Sequence, residues 1–433
     1  MKRKILGFMG VVALSLSLVA CSSADQKADT KKKVKDDEVT VWVQYSKESA
    51  EGQVMTESIK KFNETNDKGY KAVVEYIPRS GSGGGYEDKV NAALTTNTLP
   101  DVLTLDGPNT AAYANAGMLA PIDDYLSEKE DFLPSIIDQG TYDGKLYAIG
   151  YSESGVGIFY NKDMFKEAGI EESDLPTLEK PWTWDEFNTI AKTLTDKFDQ
   201  PAIDMGFDDH SEWLFYAFTP FIWSNGGDIV NEDGTKAIGV FDAKENVETF
   251  QFIQDLIKNK YSTISPSEAG FQTGKYAMKM SGSWTMQELD QEYQDIDYGI
   301  LPYPVSPKTK ELVSPTGSWQ YGMTASSDKK EMAGALIEFL TSEDELYNMS
   351  MGNTVLPART SVANRMLEEV AKPMQMLIKQ NQVSGHSRPV LVEYPKVTRT
   401  VQETVTESTY FDDNKDLNKL LETKAQEIES HLK

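Results

Sequence analysis

The chain of 433 residues contains one cysteine and three histidines. A single cysteine cannot form an internal disulfide bond. The histidines, His210, His386 and His431, are too far apart in sequence to form a metal-ligand motif. We therefore expect neither a disulfide framework nor a metal site.

The chain also lacks the common catalytic and cofactor motifs. No Gly-x-Ser-x-Gly sequence marks a nucleophilic serine. Residues 270–275 resemble a phosphate loop, but the spacing is one residue short and Tyr276 replaces the magnesium-binding Ser or Thr. The glycine-rich residues 81–85 do not fit a dinucleotide-binding pattern, so no catalytic residue and no cofactor is predicted. Carboxylates are abundant, however, and a glycosidase pair among them stays open as an alternative.

Positive charge is scarce as well. The chain has 43 Lys and Arg residues against 68 Asp and Glu residues, which gives a formal net charge of −25. Such a surface repels phosphate backbones, so a nucleic-acid partner is excluded. It also repels anionic lipid headgroups, so any attachment to a membrane must come from a lipid anchor.

The N-terminus has the features of a secretory signal. Three basic residues at 2–4 precede an apolar run at 5–19, which is too short for a bilayer-spanning helix of roughly 20 apolar residues. Residues 1–20 are therefore predicted to be a signal peptide. The Leu-Val-Ala-Cys end of this segment resembles a bacterial lipoprotein signal, which implies that Cys21 is acylated and holds the protein on the outer side of the cell membrane. An ordinary signal followed by a chance cysteine is the alternative.

After a polar, Lys- and Asp-rich tether at 21–38, the pattern alternates between strands and helices. Alternating apolar residues predict strands at 39–43, 71–77, 100–105 and 157–161. Helical periodicity predicts helices near 54–62 and 86–94, at 328–340 and at 417–432. Thr183 and Glu186 form a capping box at another helix start. This alternation predicts an α/β lobe with a largely parallel sheet. The chain is too long for one core, so we expect an α/β fold with two lobes.

Four segments together are similar to the sugar-type extracellular solute-binding proteins of ABC importers, the maltose-binding-protein-like family. Each segment alone is weak evidence for the family, but the order and spacing of all four are specific for it. They are Tyr86–Tyr125 with Pro100-Asp101-Val102 and Ala116-Gly117-Met118-Leu119, then Tyr142–Phe165, then Phe271–Trp284, and finally Leu356-Pro357-Ala358-Arg359-Thr360-Ser361.

The resemblance implies a type II periplasmic-binding-protein fold, in which two α/β lobes joined by a hinge close on a ligand. It assigns residues 39–148 and 282–342 to the N-terminal lobe and residues 149–281 and 343–433 to the C-terminal lobe. The chain would cross between lobes near 148–152, 278–284 and 341–351. The implied partners are a sugar, the permease subunits of an ABC transporter and a membrane reached by the lipid anchor only, with the protein itself a monomer.

A sugar needs aromatic platforms for its C–H faces and planar polar groups for its hydroxyls. The resemblance and the predicted strand ends together indicate nine ligand-binding candidates: Gln44, Tyr45, Arg79, Asp106, Glu153, Trp223, Trp284, Trp319 and Arg359. A core position is the alternative for Trp223. A structural salt bridge is the alternative for Arg359, and Asp106 and Glu153 could be solvated loop carboxylates. Ser154 is the alternative to Glu153 as the contact just after the first crossing.

The sequence thus predicts a membrane-anchored receptor that captures a sugar and performs no chemistry. Three alternatives remain open at this point. The ligand could be another polar solute such as glycerol phosphate, or the protein could be a secreted carbohydrate-active enzyme. A ligand-sensing partner of a membrane kinase is a further possibility.

Overall fold

The computed structural model describes residues 35–79, 85–410 and 416–433. The predicted signal peptide, Cys21, most of the tether and most of the glycine-rich loop at 81–85 lie outside the described residues. None of the helices within these three ranges combines the length and the apolar character that a bilayer-spanning segment needs.

The strands, numbered along the chain, are β1 Glu38–Val43, β2 Lys71–Tyr76, β3 Val102–Asp106, β4 Leu119–Ala120, β5 Thr141–Tyr142, β6 Lys145–Leu146, β7 Ala148–Ser152, β8 Val156–Asn161, β9 Ile203–Asp204, β10 Met278–Gly282, β11 Tyr298–Leu301, β12 Ser314–Thr316, β13 Trp319–Thr324 and β14 Gly385–Ser387. The predicted strands at 39–43, 71–77, 100–105 and 157–161 correspond to β1, β2, β3 and β8.

The α-helices are α1 Ala50–Thr65, α2 Tyr86–Thr96, α3 Thr110–Asn115, α4 Pro134–Gly140, α5 Lys162–Glu167, α6 Trp184–Phe198, α7 Trp213–Tyr216, α8 Thr219–Ser224, α9 Lys244–Lys258, α10 Trp284–Glu292, α11 Lys330–Leu340, α12 Glu343–Asn353, α13 Thr360–Met366, α14 Lys372–Ser384, α15 Tyr394–Thr409 and α16 Leu417–His431. The predicted capping box at the start of α6 is present, because Thr183 Oγ1 accepts from the backbone N–H of Glu186 and the Glu186 carboxylate accepts from the N–H of Thr183.

The first lobe is built on a six-stranded sheet. Strands β2, β1 and β3 are parallel, and β13 pairs antiparallel with β3 on one edge and with β4 and β7 on the other. The sheet is therefore mixed rather than largely parallel, because its central strand β13 returns from far along the chain. Fully buried Val39, Val41 and Val43 of β1 pack under α1 in the core of this lobe.

The second lobe is built on a four-stranded sheet in the order β11-β8-β10-β9. Strand β8 is buried along its whole length, which explains its continuous apolar sequence Val-Gly-Ile-Phe-Tyr. A large aromatic core covers this sheet and includes Phe187, Phe215, Phe221 and Phe250. Helices α15 and α16 pack on α7 and α9 at its far side.

Two of the three crossings between the lobes lie at different places from those expected. The first crossing, between β7 and β8, lies close to the predicted one at 148–152. Strand β11 falls in the predicted N-terminal segment 282–342, yet it pairs with β8 of the second sheet. The next crossing therefore lies between β11 and β13 rather than near 278–284.

The last crossing also comes later than expected. Helix α12 falls in the predicted C-terminal segment 343–433, but it packs on α1 and β7 of the first lobe, and α13 packs on α12. The chain therefore returns to the second lobe after α13. Beside the crossings, β12 and β14 form a short parallel ladder that ties the segment before β13 to the segment after α14.

Candidate functional site

A cleft with a cavity of about 330 Å³ lies where the ends of β3 and β13 in the first lobe meet α7 and α10 of the second lobe. Its volume is at the lower end of the range usual for small-molecule sites. The residues that line it are Arg79, Asp106, Ser154, Asp209, Ser211, Glu212, Trp213, Tyr216, Trp284, Gly317, Trp319 and Arg388.

Two aromatic walls of the cleft come from predicted candidates. Trp319 begins β13 directly opposite Asp106 at the end of β3, and the Arg79 guanidinium lies 4.9 Å from the centre of the Trp319 ring. Trp284 begins α10 and keeps 46% of its surface exposed, which is unusual for so large an apolar side chain. The structure therefore brings Arg79, Asp106, Trp284 and Trp319 together at one cavity.

Trp213 was missed by the sequence analysis, although it begins α7 after a polar segment, much as Trp284 begins α10. Its ring lies edge-on to Trp284, with ring centres 6.2 Å apart and planes at 78°. The indole N–H donates to the carbonyl of Met205 at 3.0 Å, which fixes the ring. We call Trp213 and Trp284 the indole corner.

Two glycines create the space for the indole corner. A Cβ atom at Gly206 would lie 2.6 Å from Trp213 Nε1, and its φ of +70° also favours glycine. A Cβ atom at Gly282 would lie 2.1 Å from the ring of Trp284. Both rings therefore rest directly on the backbone of the second lobe.

Arg388 is the second residue that the sequence analysis missed, and it joins the two lobes. Its guanidinium donates to both carboxylate oxygens of Asp106 in the first lobe, at 2.6 and 3.0 Å. It also donates to Glu212 Oε1 in the second lobe at 2.9 Å. The side chain is only 3% exposed. Its position directly after β14, in the segment Gly-His-Ser-Arg-Pro, was the available signal. We call these three residues the interlobe ion network.

Several hydrogen bonds hold Glu212, the second-lobe partner of Arg388, in position. Glu212 also accepts hydrogen bonds from Tyr394, Thr398 and Gln402 of α15. Burial raises the pKa of Glu212, and the positive charge of Arg388 opposes that rise. Arg388 Nε, by contrast, is buried and donates to no acceptor in the described part of the chain. Buried donors are normally hydrogen-bonded, so this nitrogen is an unmet donor beside the cleft.

Glu153 lies behind the cleft wall rather than in it. Its carboxylate is fully buried and accepts from the backbone N–H groups of Gly317 at 2.5 Å and Ser154 at 2.9 Å, and from the Ser135 hydroxyl at 3.0 Å. Ser154 and Gly317 both line the cavity. Glu153 therefore orients two lining segments, and the alternative of a solvated loop carboxylate is wrong.

Burial raises the pKa of Glu153 to about 7, above the ordinary value near 4.3. Because the fold favours the protonated carboxyl, its contribution to stability is greatest at pH below about 4 and is lost as pH rises to about 7. We expect Glu153→Gln to gain stability relative to the wild type over this interval, measured by urea unfolding at several pH values. The exposed Glu422→Gln is the matched control, and a pH-independent difference for Glu153→Gln would contradict the assignment.

Gln44 and Tyr45 are not among the lining residues. Gln44 is buried, donates to the Tyr151 hydroxyl at 2.8 Å and accepts from Thr104 Oγ1 at 2.6 Å. Tyr45 is also buried, with its ring 6.3 Å from that of Tyr76. Both side chains join the strand ends of the first lobe to one another.

Trp223 and Arg359 have structural environments away from the cleft. Trp223 is buried, stacks on His386 with ring centres 4.0 Å apart, and donates to Asp228 at 3.1 Å. Arg359 is 2% exposed, donates to the Thr341 carbonyl at 2.9 Å and pairs with Asp131 at 3.3 Å. The environments of these residues therefore match the alternatives stated above, which were a core position for Trp223 and a structural salt bridge for Arg359.

The charges around the cavity favour an uncharged or cationic ligand. Asp106, Asp209 and Glu212 supply three carboxylates, against the guanidiniums of Arg79 and Arg388. Arg79 is already paired with Glu87 at 3.2 Å, and Arg388 is paired within the interlobe ion network. Within the three described ranges, no group of three or more His, Asp or Glu residues is placed to hold a metal ion.

Comparisons with known proteins agree with this architecture. A family model described as bacterial extracellular solute-binding protein matches residues 46–346. The diacetylchitobiose-binding protein DasA of Streptomyces coelicolor is 26% identical over 381 residues, which cover 84% of each chain. The galactooligosaccharide-binding protein of Bacillus subtilis is 26% identical over 384 residues, covering 84% of this chain and 82% of that one.

Solved structures show the same fold. The cyclic α-maltosyl-1,6-maltose-binding protein of Arthrobacter globiformis superposes with a TM-score of 0.79 at 23% identity, covering 91% of this chain and 98% of the other. The predicted two-lobe, type II periplasmic-binding-protein fold is confirmed by this likeness.

Proposed function

Because the chain belongs to the bacterial extracellular solute-binding protein family, we propose that it captures a sugar outside the cell and delivers it to the permease of an ABC transporter. The observation that carries the sugar proposal is the composition of the cleft wall. Trp213, Trp284 and Trp319 offer aromatic faces for C–H groups, while Arg388 Nε is a buried donor with no acceptor among the residues that the structure describes. Two relatives are named as a diacetylchitobiose-binding protein and a galactooligosaccharide-binding protein, and these names support a sugar as the ligand.

Capture works through contacts with both lobes at once. Asp106 and Trp319 belong to the first lobe, whereas Trp213 and Trp284 belong to the second. A ligand that binds only one lobe cannot shift the balance between open and closed forms. A sugar held between Trp319 and the indole corner stabilises the closed form, which is the form that the permease would receive.

The polar candidates have two kinds of role in this proposal. Asp106, Arg79 and Arg388 would bond the sugar hydroxyls directly, while Glu153 would fix the Ser154 and Gly317 segments. Gln44, Tyr45, Trp223 and Arg359 would support the fold without touching the ligand. The protein would catalyse no reaction, and turnover of aryl glycosides by the purified protein would contradict that part of the proposal.

The charge of the cleft disfavours the phosphate-ligand alternative. A glycerol phosphate would need an unpaired cation, and both lining guanidiniums are already engaged by carboxylates. A thermal-shift screen against mono- and oligosaccharides and glycerol phosphate tests the choice, because a ligand that binds the folded form raises the melting temperature. A shift with glycerol phosphate and with no sugar would overturn the sugar proposal.

We propose that Cys21 carries the lipid that holds the receptor at the cell membrane. One acyl chain binds a membrane only marginally, whereas two or more hold it firmly. We expect Cys21→Ala to move the protein from the membrane fraction to the medium without changing its affinity for the sugar. Fractionation followed by calorimetry on the released protein measures both. Ser22→Ala is the control, and a Cys21→Ala protein that stays with the membrane would contradict the anchor.

A further inference from the structure

A carboxylate outside the cleft wall is paired with one of the two guanidiniums that line the cleft. Glu87 lies in the first turn of α2 and is not among the residues that line the cavity. Its Oε1 atom lies 3.2 Å from Nε of Arg79, which does line the cavity. The charge that Arg79 brings to the cleft therefore depends on a residue outside it.

The Glu87–Arg79 pair also contacts an aromatic wall of the cleft. The Arg79 guanidinium lies 4.9 Å from the centre of the Trp319 ring. The backbone N–H of Arg79 donates to the carbonyl of Gln44, directly after β1, at 3.1 Å. The guanidinium is thus held between a carboxylate and an indole of the first lobe. A ligand that stacks on Trp319 meets the charge of Arg79 at the same place.

The position of Glu87 carries a cost in free energy that its pairing partly offsets. The carboxylate is partly buried, and burial raises its pKa, while the positive charge of Arg79 opposes that rise. Within the described ranges, its buried Oε2 atom accepts no hydrogen bond. The pairing with Arg79 therefore favours the ionised form of Glu87, and that form in turn cancels the charge of Arg79.

The other lining guanidinium is neutralised by residues of the cleft wall itself. Arg388 donates to Asp106 and Glu212, and both of these carboxylates line the cavity. Changing either of them alters the cleft surface and the interlobe ion network together. Glu87 differs from them, because its charge can be removed without changing a residue that lines the cavity.

Resting on the proposed sugar-binding function, we propose that Glu87 is a specificity-determining residue that acts through Arg79 and keeps anionic ligands out of the cleft. An unpaired guanidinium binds a carboxylate or phosphate through parallel, charge-assisted hydrogen bonds. With Glu87 on its Nε, Arg79 offers an anionic sugar little net charge, and the neighbouring Asp106 repels that sugar. An uncharged sugar is not penalised, because its hydroxyl groups accept from the other N–H groups of Arg79.

Anionic probes and their neutral counterparts test this role. Glucuronate, galacturonate and glycerol phosphate, with glucose and galactose as references, are titrated by calorimetry into the wild type and into Glu87→Gln. This change removes the charge and keeps the size of the side chain. We expect at least one anionic probe to bind Glu87→Gln more tightly than the wild type, by about tenfold or more, with no such gain for the neutral sugars. Asp88→Asn, an exposed carboxylate of the same helical turn, is the control and should give no gain.

Two further variants separate the charge of Glu87 from its effect on local structure. Glu87→Asp keeps the charge and shortens the side chain, so it should bind the anionic probes much more weakly than Glu87→Gln. The double variant Arg79→Gln/Glu87→Gln should lose the gain, because the cation that binds the anion is then missing. A gain that persists in the double variant, or that Glu87→Asp shows equally, would overturn the role assigned to the Glu87–Arg79 pair.

The same titrations distinguish this proposal from the sugar-binding function. If no anionic probe binds Glu87→Gln more tightly than the wild type, and the variant melts at the normal temperature, Glu87 does not determine specificity and the sugar-binding function still stands. Failure of every sugar in the thermal-shift screen of the wild type would overturn the function itself.

Discussion

Replacing Arg388 with alanine is expected to cost about 3 kcal/mol of folding stability and to abolish measurable sugar binding. The guanidinium is only 3% exposed and neutralises Asp106 in one lobe and Glu212 in the other. Removing it leaves two partly buried carboxylates facing each other without a cation, which is far costlier than losing a surface ion pair. Urea unfolding measures the stability, and calorimetry with the sugar found by screening measures the binding.

Two further variants separate the charge of Arg388 from its geometry. Arg388→Lys keeps the positive charge but cannot donate in parallel to both oxygens of Asp106, so we expect an intermediate loss. Arg399 is 78% exposed and pairs with Glu403 on the same helix, so Arg399→Ala should change stability by less than about 0.5 kcal/mol. An Arg388→Ala protein that unfolds at the same urea concentration as the wild type would show that the interlobe ion network adds no stability.

Truncation of Trp284 to alanine is expected to weaken sugar binding by about 2–4 kcal/mol while leaving folding stability almost unchanged. Trp284 lines the cleft and nearly half of the residue is exposed, so removal of its ring creates little buried cavity. Calorimetry measures the affinity and urea unfolding the stability. Unchanged affinity would remove Trp284 from the site.

For Trp223→Ala we expect the opposite pattern, a loss of stability rather than of ligand contact. This indole is buried against His386 and donates a hydrogen bond to Asp228. Its truncation should cost about 3–5 kcal/mol of stability, as for other buried aromatic residues, without a direct loss of ligand contact. The two tryptophan variants thus distinguish a ligand platform from a core residue in the same lobe.

Gly282 offers a second approach to the same platform. An alanine there would place its Cβ against the Trp284 ring and force the ring from its position. The single variant Gly282→Ala should therefore bind sugar more weakly than the wild type. Added to Trp284→Ala, the same change should have little further effect, because the two changes act on one contact. Additive losses of affinity would mean that Gly282 acts through something other than the indole.

The local elements were predictable from sequence because their periodicity is local. Strand β1, helix α1 and the capping box of α6 depend on residues within a few positions of one another. The lobe boundaries were less predictable, because the sheet that β11 joins is set by its pairing with β8, more than a hundred positions earlier. Sequence periodicity carries no information about such a distant partner.

The difference between local sequence and distant packing also explains which residues of the candidate site could be predicted. Trp223 and Trp284 both lie next to small polar residues, yet one is covered by His386 from a distant segment and the other is left open. Likewise, Arg359 and Arg388 both follow short polar or proline-containing segments, and only Arg388 reaches the cavity. A residue type and its neighbours in sequence identify a candidate, whereas the segments that fold over it decide its role.

Strand β13 places a constraint on the order in which the protein can fold. It occupies the middle of the first sheet, between β3 on one edge and β4 and β7 on the other, and follows them in the chain only after the whole second sheet. During synthesis at about 5–20 residues per second, the edge of β3 would wait roughly 10–45 s for this partner. An unpaired strand edge of that kind can pair wrongly with other chains. A chaperone that holds the chain, or export before the chain folds, would keep this edge from wrong pairing until β13 is available.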